Sequence, residues 1–116
     1  MRSHWYHKFA NALRGIRWGI VGQSSFYVHL ACALATLVLA AGLHCELWQW
    51  CVLGLCIGLV LSLELINSAL ESLAEGLCHE HNAQVGRALD IASGAVLMAS
   101  CVAATIGLAI FAMQLF

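Results

Sequence analysis

The sequence predicts an all-α integral membrane protein: an N-terminal amphipathic surface helix followed by three transmembrane helices. Composition is the first observation. Of 116 residues, 62% are hydrophobic and 9% are charged, whereas average soluble domains carry roughly a quarter charged residues, so this chain cannot cover a water-facing surface. The second is length. Three apolar stretches fit in the chain, each close to the roughly 20 residues needed to cross a bilayer core. The third is where the charge lies. Arg2, Lys8, Arg14 and Arg17 fall before the first apolar stretch, and the fifth basic residue is Arg87. Residues 1–116 read as one membrane domain. The net charge of −1 is uninformative by itself, and no nucleic-acid partner is expected.

Residues 5–21 are too polar to span. Phe9, Leu13, Ile16 and Ile20 recur at helical spacing, with Lys8, Arg14 and Arg17 mostly on other faces. That pattern suits a helix in the membrane interface with its tryptophans at headgroup level. Gly22-Gln23-Ser24-Ser25 then breaks the helix and turns the chain into the bilayer. The first span is 26–43, and its many alanines permit close helix contact. His29, near its cytoplasmic end, reads first as a hydrogen-bonded packing residue.

His44-Cys45-Glu46 is a short hairpin without a basic residue, so by the positive-inside rule it faces away from the cytoplasm and the N-terminus lies inside. Trp48 and Trp50 follow as interfacial anchors. The second span, 47–73, is one unbroken helix that includes a cytoplasmic extension, and Gly54 and Gly58 form a weak small-residue packing pair. Residues 76–85 form the cytoplasmic loop. Its run Cys78-His79-Glu80-His81 has metal-ligand chemistry, but sequence neighbours cannot all turn to one ion, and a solvated loop is the better reading. The third span is 87–115, uncharged from Ile91 onward. Four of the six cysteines sit in apolar stretches, where cysteine behaves as a small hydrophobe. Cys45 and Cys78 belong to opposite membrane faces. No cleavable signal peptide is expected.

The chemistry concentrates in Leu63-Glu64-Leu65-Ile66-Asn67-Ser68-Ala69-Leu70-Glu71, after a stretch of the second span with no charge. Glu64 and Glu71 share one helix face about 10 Å apart, with Asn67 between them. Such groups are costly in hydrocarbon and are kept mainly where they face partners, water or a substrate. Asp90 is expected at the same depth on the third span, with Gln23 and His29 opposite on the first. Carboxylates with an amide oxygen are a hard-oxygen set suited to Mg²⁺. A carboxylate at the apolar boundary can accept a proton from an alcohol. These are parts for phosphoryl transfer from a magnesium nucleotide. The chain has neither a Gly-x-x-x-x-Gly-Lys-Ser/Thr loop nor the protein-kinase signatures.

Glu64-Leu65-Ile66-Asn67-Ser68-Ala69-Leu70-Glu71 resembles the Glu-(Ile/Leu)-Leu-Asn-(Ser/Thr)-Ala-Ile-Glu signature of the prokaryotic diacylglycerol kinases and their undecaprenol kinase relatives. Gly86-Arg87-Ala88-Leu89-Asp90-Ile91-Ala92-Ser93-Gly94-Ala95-Val96-Leu97 is similar to a second stretch of that family. Leu13-Arg14-Gly15-Ile16-Arg17 resembles its amphipathic helix, and Phe26-Tyr27-Val28-His29 resembles a Phe-Arg-Ile-His of the undecaprenol kinase branch. The likeness extends from about Phe9 to the end of the third span.

The resemblance implies a homotrimer in the bacterial inner membrane, with active sites shared between subunits at the cytoplasmic surface. It implies that ATP with Mg²⁺ phosphorylates the hydroxyl of a membrane lipid, diacylglycerol to phosphatidic acid, or undecaprenol. Carried over, Glu64 is the general base, with Asn67 and Asp90 as polar supports of the catalytic group. Glu71 binds the metal, and Gln23 stands where the family has a second metal-binding Glu. Arg14, Arg17 and Arg87 are the cations available to the nucleotide, and His29 and Ser68 are assigned to the lipid substrate. Gln23 offers an oxygen without charge, Leu89 replaces a family Lys, and Tyr27 replaces a common Arg. Those departures suit a second reading, a weakened or repurposed member serving as a lipid- or partner-binding subunit.

Overall fold

The computed structural model describes residues 2–116, which form α1 (Arg2–Ile20), α2 (Ser24–Gly42), α3 (Leu47–Leu77) and α4 (Ala83–Leu115). The last three are long and apolar enough to cross a membrane. α3 is the central helix. It packs most extensively on α4, then on α2, and it meets one end of α1.

The turn from α1 into α2 is made by Gly22, whose φ of 80° is a conformation open to glycine and strained for most side chains. The Tyr27 hydroxyl accepts the Gly22 N–H at 3.2 Å, so the turn's backbone donor is satisfied. α1 approaches α3 closely at Gly19, where an added Cβ would stand 2.5 Å from Leu65 Cδ2. Along the rest of α1, Trp5, Tyr6, Phe9, Leu13, Ile16 and Trp18 are all exposed. Among the described residues nothing covers this apolar surface, as a helix seated in a lipid interface requires.

At the opposite end of the bundle, His44 takes a φ of 56° and turns the chain between α2 and α3. Glu46 caps α3 in a reciprocal box with Gln49 and also accepts the Trp48 indole N–H at 2.8 Å. Gln49 is only 1% exposed. Its Nε2 donates to Gln114 Oε1 at 3.0 Å, and Gln114 Nε2 donates to the carbonyls of Leu43 and His44 at 3.1 and 3.3 Å. The C-terminal turn of α4 is thereby tied to the α2–α3 hairpin. Beside this clasp lies the core: Ala40, Leu53 and Ile110, packed by Trp50, Ile106 and Phe111.

Two helix ends differ from the expected bounds. α3 continues to Leu77, past 73, and α4 begins at Ala83 rather than 87, so the helices leave only 78–82 between them. The cause of the second shift is Asn82, whose side chain accepts the N–H groups of Gln84 and Val85 at 3.0 and 3.2 Å. An asparagine cap satisfies donors that a helix start otherwise leaves open. The protein exposes 8573 Å², whereas a folded water-soluble chain of this mass exposes about 6,200 Å². Much of the excess is apolar helix surface, including Leu34, Val38, Leu55, Leu59, Leu97, Met98 and Leu108, of the kind lipid or further helices cover.

Candidate active site

α3 carries a polar row across an otherwise apolar body, because residues three and four apart lie on one helix face. Glu64, at 3% exposure, is buried beneath the first turn of α2. The Ser25 hydroxyl donates to Glu64 Oε1 at 2.5 Å, and His29 Nε2 stands 3.5 Å from Glu64 Oε2. Ser25 and His29 are a turn apart on α2, so both reach the same carboxylate. A helix N-terminus also favours a nearby negative charge through its dipole.

One turn along α3, Asn67 Nδ2 donates to Glu71 Oε1 at 3.1 Å. Asn67 and Ser68 are both buried, yet Asn67 Oδ1 and Ser68 Oγ have no hydrogen-bond partner among the described residues. Buried polar atoms are nearly always satisfied, and an exception calls for an explanation such as an ion, a water or a ligand. The carboxamide of Asn67 thus holds Glu71 with its donor and leaves its acceptor unused.

Two hollows flank this row. On the apolar side a groove of about 490 Å³ runs between α2, α3 and α4, lined by His29, Ala33, Leu53, Val60, Gly107 and Phe111 among others. On the polar side a cavity of about 380 Å³ is lined by Glu71, Glu75, Cys78, Glu80, His81 and Leu89 among others. His29 belongs both to the groove and to the Glu64 site, and Glu71 belongs both to the polar row and to the cavity. From groove to cavity the order is therefore His29, Glu64, Asn67, Glu71.

No other expected residue is hydrogen-bonded or ion-paired to this row among the described residues. Asp90 and Arg87 are exposed on α4, and neither makes a side-chain hydrogen bond or ion pair among the described residues. Arg87 is not among the residues that line the cavity, although its neighbours Gly86 and Leu89 are. Arg14 and Arg17 are exposed on α1, with Arg14 Nη1 donating to Asn11 Oδ1 at 3.3 Å. Gln23 takes the N-cap position of α2 without a side-chain capping bond, two residues ahead of Ser25. Ser25 itself is a site residue that sequence reasoning passed over. Its only signal was its place in the polar break before the first span, one turn ahead of His29.

Among the described residues no three His, Cys, Asp or Glu side chains come together as a metal-binding set. What the chain presents is one carboxylate, Glu71, beside one unpartnered amide oxygen, Asn67 Oδ1. That donor set fits Mg²⁺, which is commonly held through one or two carboxylates and completes its shell with phosphate and water.

The sequence matches the family model described as prokaryotic diacylglycerol kinase over residues 10–111. It is 31% identical over 109 residues to the undecaprenol kinase of Bacillus subtilis (strain 168), covering 94% of this chain and 89% of that protein. It is 34% identical over 102 residues to a diacylglycerol kinase of Synechocystis sp., covering 85% of this chain and 57% of that longer protein. Identity to the diacylglycerol kinase of Escherichia coli (strain K12) is 30% over 90 residues, or 78% of this chain and 74% of that protein. With a buried carboxylate, Glu64, on a membrane-length helix and a family match over nearly its whole length, the chain belongs to the prokaryotic diacylglycerol kinase family of membrane lipid kinases.

Proposed function

We propose that the protein transfers the γ-phosphoryl group of ATP, with Mg²⁺, to the hydroxyl of a membrane lipid, with diacylglycerol preferred and undecaprenol the alternative acceptor. The observation that carries this reading is the buried Glu64 carboxylate, placed between an apolar groove and a polar cavity. A hydrocarbon chain suits the groove, which would bring a lipid hydroxyl toward His29 and Glu64. A nucleotide suits the cavity, which Glu71 lines.

In the reaction the lipid hydroxyl oxygen bonds to the γ-phosphorus while the bond from that phosphorus to the β,γ-bridging oxygen breaks. The hydroxyl proton passes to Glu64 Oε2, and the electron pair of the broken bond leaves with ADP. Glu71, held by Asn67, and the free Asn67 Oδ1 would hold the magnesium–phosphate end of the nucleotide. The bound metal supplies charge neutralisation of the phosphates. Arg14, Arg17 and Arg87, exposed in one subunit, are free to reach phosphate across a subunit boundary. This is the arrangement expected of a homotrimer with shared sites in the bacterial inner membrane, its N-terminus and active site cytoplasmic.

Leu89 favours a second reading. It lines the cavity beside Glu71, Glu75 and Glu80, and no Lys or Arg among the described residues lines it with them. A cavity with that lining binds nucleotide weakly and suits a member that retains lipid or partner binding at reduced turnover. Incubation with labelled ATP and Mg²⁺ in mixed micelles, offering diacylglycerol and undecaprenol separately, decides between the two. Label in the diacylglycerol fraction is the expected result. Label in undecaprenol alone reassigns the acceptor, and label in neither lipid supports the repurposed member.

A further inference from the structure

The Glu64 carboxylate has two chemically equivalent oxygens, and its surroundings treat them differently. Oε1 accepts the Ser25 hydroxyl at 2.5 Å, a short charge-assisted contact. Oε2 faces His29 Nε2 at 3.5 Å, beyond the usual length of a hydrogen bond. His29 also lines the apolar groove and is partly exposed there, with 23% of its side chain accessible. One oxygen is therefore occupied, and the other faces His29, a residue of the groove wall.

We infer that Ser25 is a positioning residue: its hydroxyl holds Glu64 Oε1 so that Oε2 is presented to the acceptor hydroxyl arriving beside His29. This rests on Glu64 serving as the base of the lipid kinase reaction. A free carboxylate end rotates with little resistance, since its terminal torsion is broad. A hydrogen bond from a neighbouring helix removes that freedom before the acceptor arrives, and preorganised geometry is what a proton transfer between aligned atoms needs. Ser25 lines neither the groove nor the cavity, so its effect is expected through Glu64 on the transfer step and not on substrate binding.

The test uses the full chain in mixed micelles and measures kcat and both KM values. Ser25→Ala is expected to lower kcat about ten-fold or more, the scale of a lost hydrogen bond to a charged group, with KM for lipid and ATP held within about two-fold. Ser25→Thr, which keeps the hydroxyl, is expected to restore most of the rate. In a Glu64→Asp background, whose shorter side chain withdraws from Ser25, Ser25→Ala is expected to change kcat by less than about two-fold, because coupled residues are not additive. Purely structural damage would lower the rate in both backgrounds alike. A native Ser25→Ala rate, a rise in KM alone, or an equal loss in the Glu64→Asp background overturns this inference while leaving the kinase reading standing. Absence of transfer by the unmodified chain overturns the kinase reading and this inference together.

Discussion

Leu89→Lys places a cation in the cavity that Glu71, Glu75 and Glu80 line. Leu89 is half-buried, so the new ammonium would sit partly shielded at the wall. About 5 Å from a phosphate charge, at an effective dielectric of about 20, it gains roughly 3 kcal/mol. Solvent in the open cavity and the ordering of a long side chain reduce such gains, and exposed pairs retain about 1 kcal/mol or less. A half-buried site falls between those values. The net expectation is about 1–2 kcal/mol, a KM for ATP lowered roughly five- to thirty-fold. The gain should shrink as salt is raised, because screening weakens partly exposed pairs. Steady-state kinetics at low and high salt, with lipid saturating, measure both effects. A KM unchanged within about two-fold in a folded variant would refute the placement of the nucleotide phosphates in this cavity.

The remaining predictions concern the metal and the scaffold. Gln23→Glu adds a carboxylate at the N-cap of α2, and the Mg²⁺ concentration giving half-maximal activity is expected to fall several-fold; an unchanged magnesium titration would place Gln23 outside the metal's reach. Gln114→Leu leaves the buried Gln49 Nε2 and two hairpin carbonyls without their partner, and unfolding in micelles is expected to show a loss of about 1–3 kcal/mol. Leu53→Ala empties the centre of the core at a residue only 1% exposed; a loss of about 2–5 kcal/mol is expected in the same assay.

Much of this molecule is legible from residue type and spacing. The three membrane-length helices follow from uninterrupted apolar runs, and the polar row follows from seven-residue spacing on α3. The Gly22 break is legible because glycine supplies the positive φ that the turn adopts. The ends of α3 and α4 were less so. A run such as Cys78-His79-Glu80-His81-Asn82 is polar throughout, and the capping bonds that single out Asn82 exist only once the chain turns there. The grouping at one membrane depth was legible for Glu64, Asn67 and Glu71, which one helix sets in phase. Asp90 was grouped with them by depth and by the family resemblance; its side chain is exposed on α4, and depth alone does not fix the rotation of that helix. Ser25 and the Gln49–Gln114 clasp were invisible for a related reason. Each depends on a contact between helices, of residue types common in turns and at helix ends.

In the proposed reaction the buried Glu64 removes the acceptor's proton. The most direct test compares phosphate transfer by Glu64→Gln with that by the unmodified protein, at matched folded amounts and saturating ATP and lipid. Gln keeps the size of the side chain and a carbonyl oxygen for the Ser25 hydroxyl, but cannot take the proton. The expected result is a fall in kcat of about a hundred-fold or more, the usual contribution of a positioned general base. A Glu64→Gln protein that transfers phosphate within about ten-fold of the native rate would contradict it.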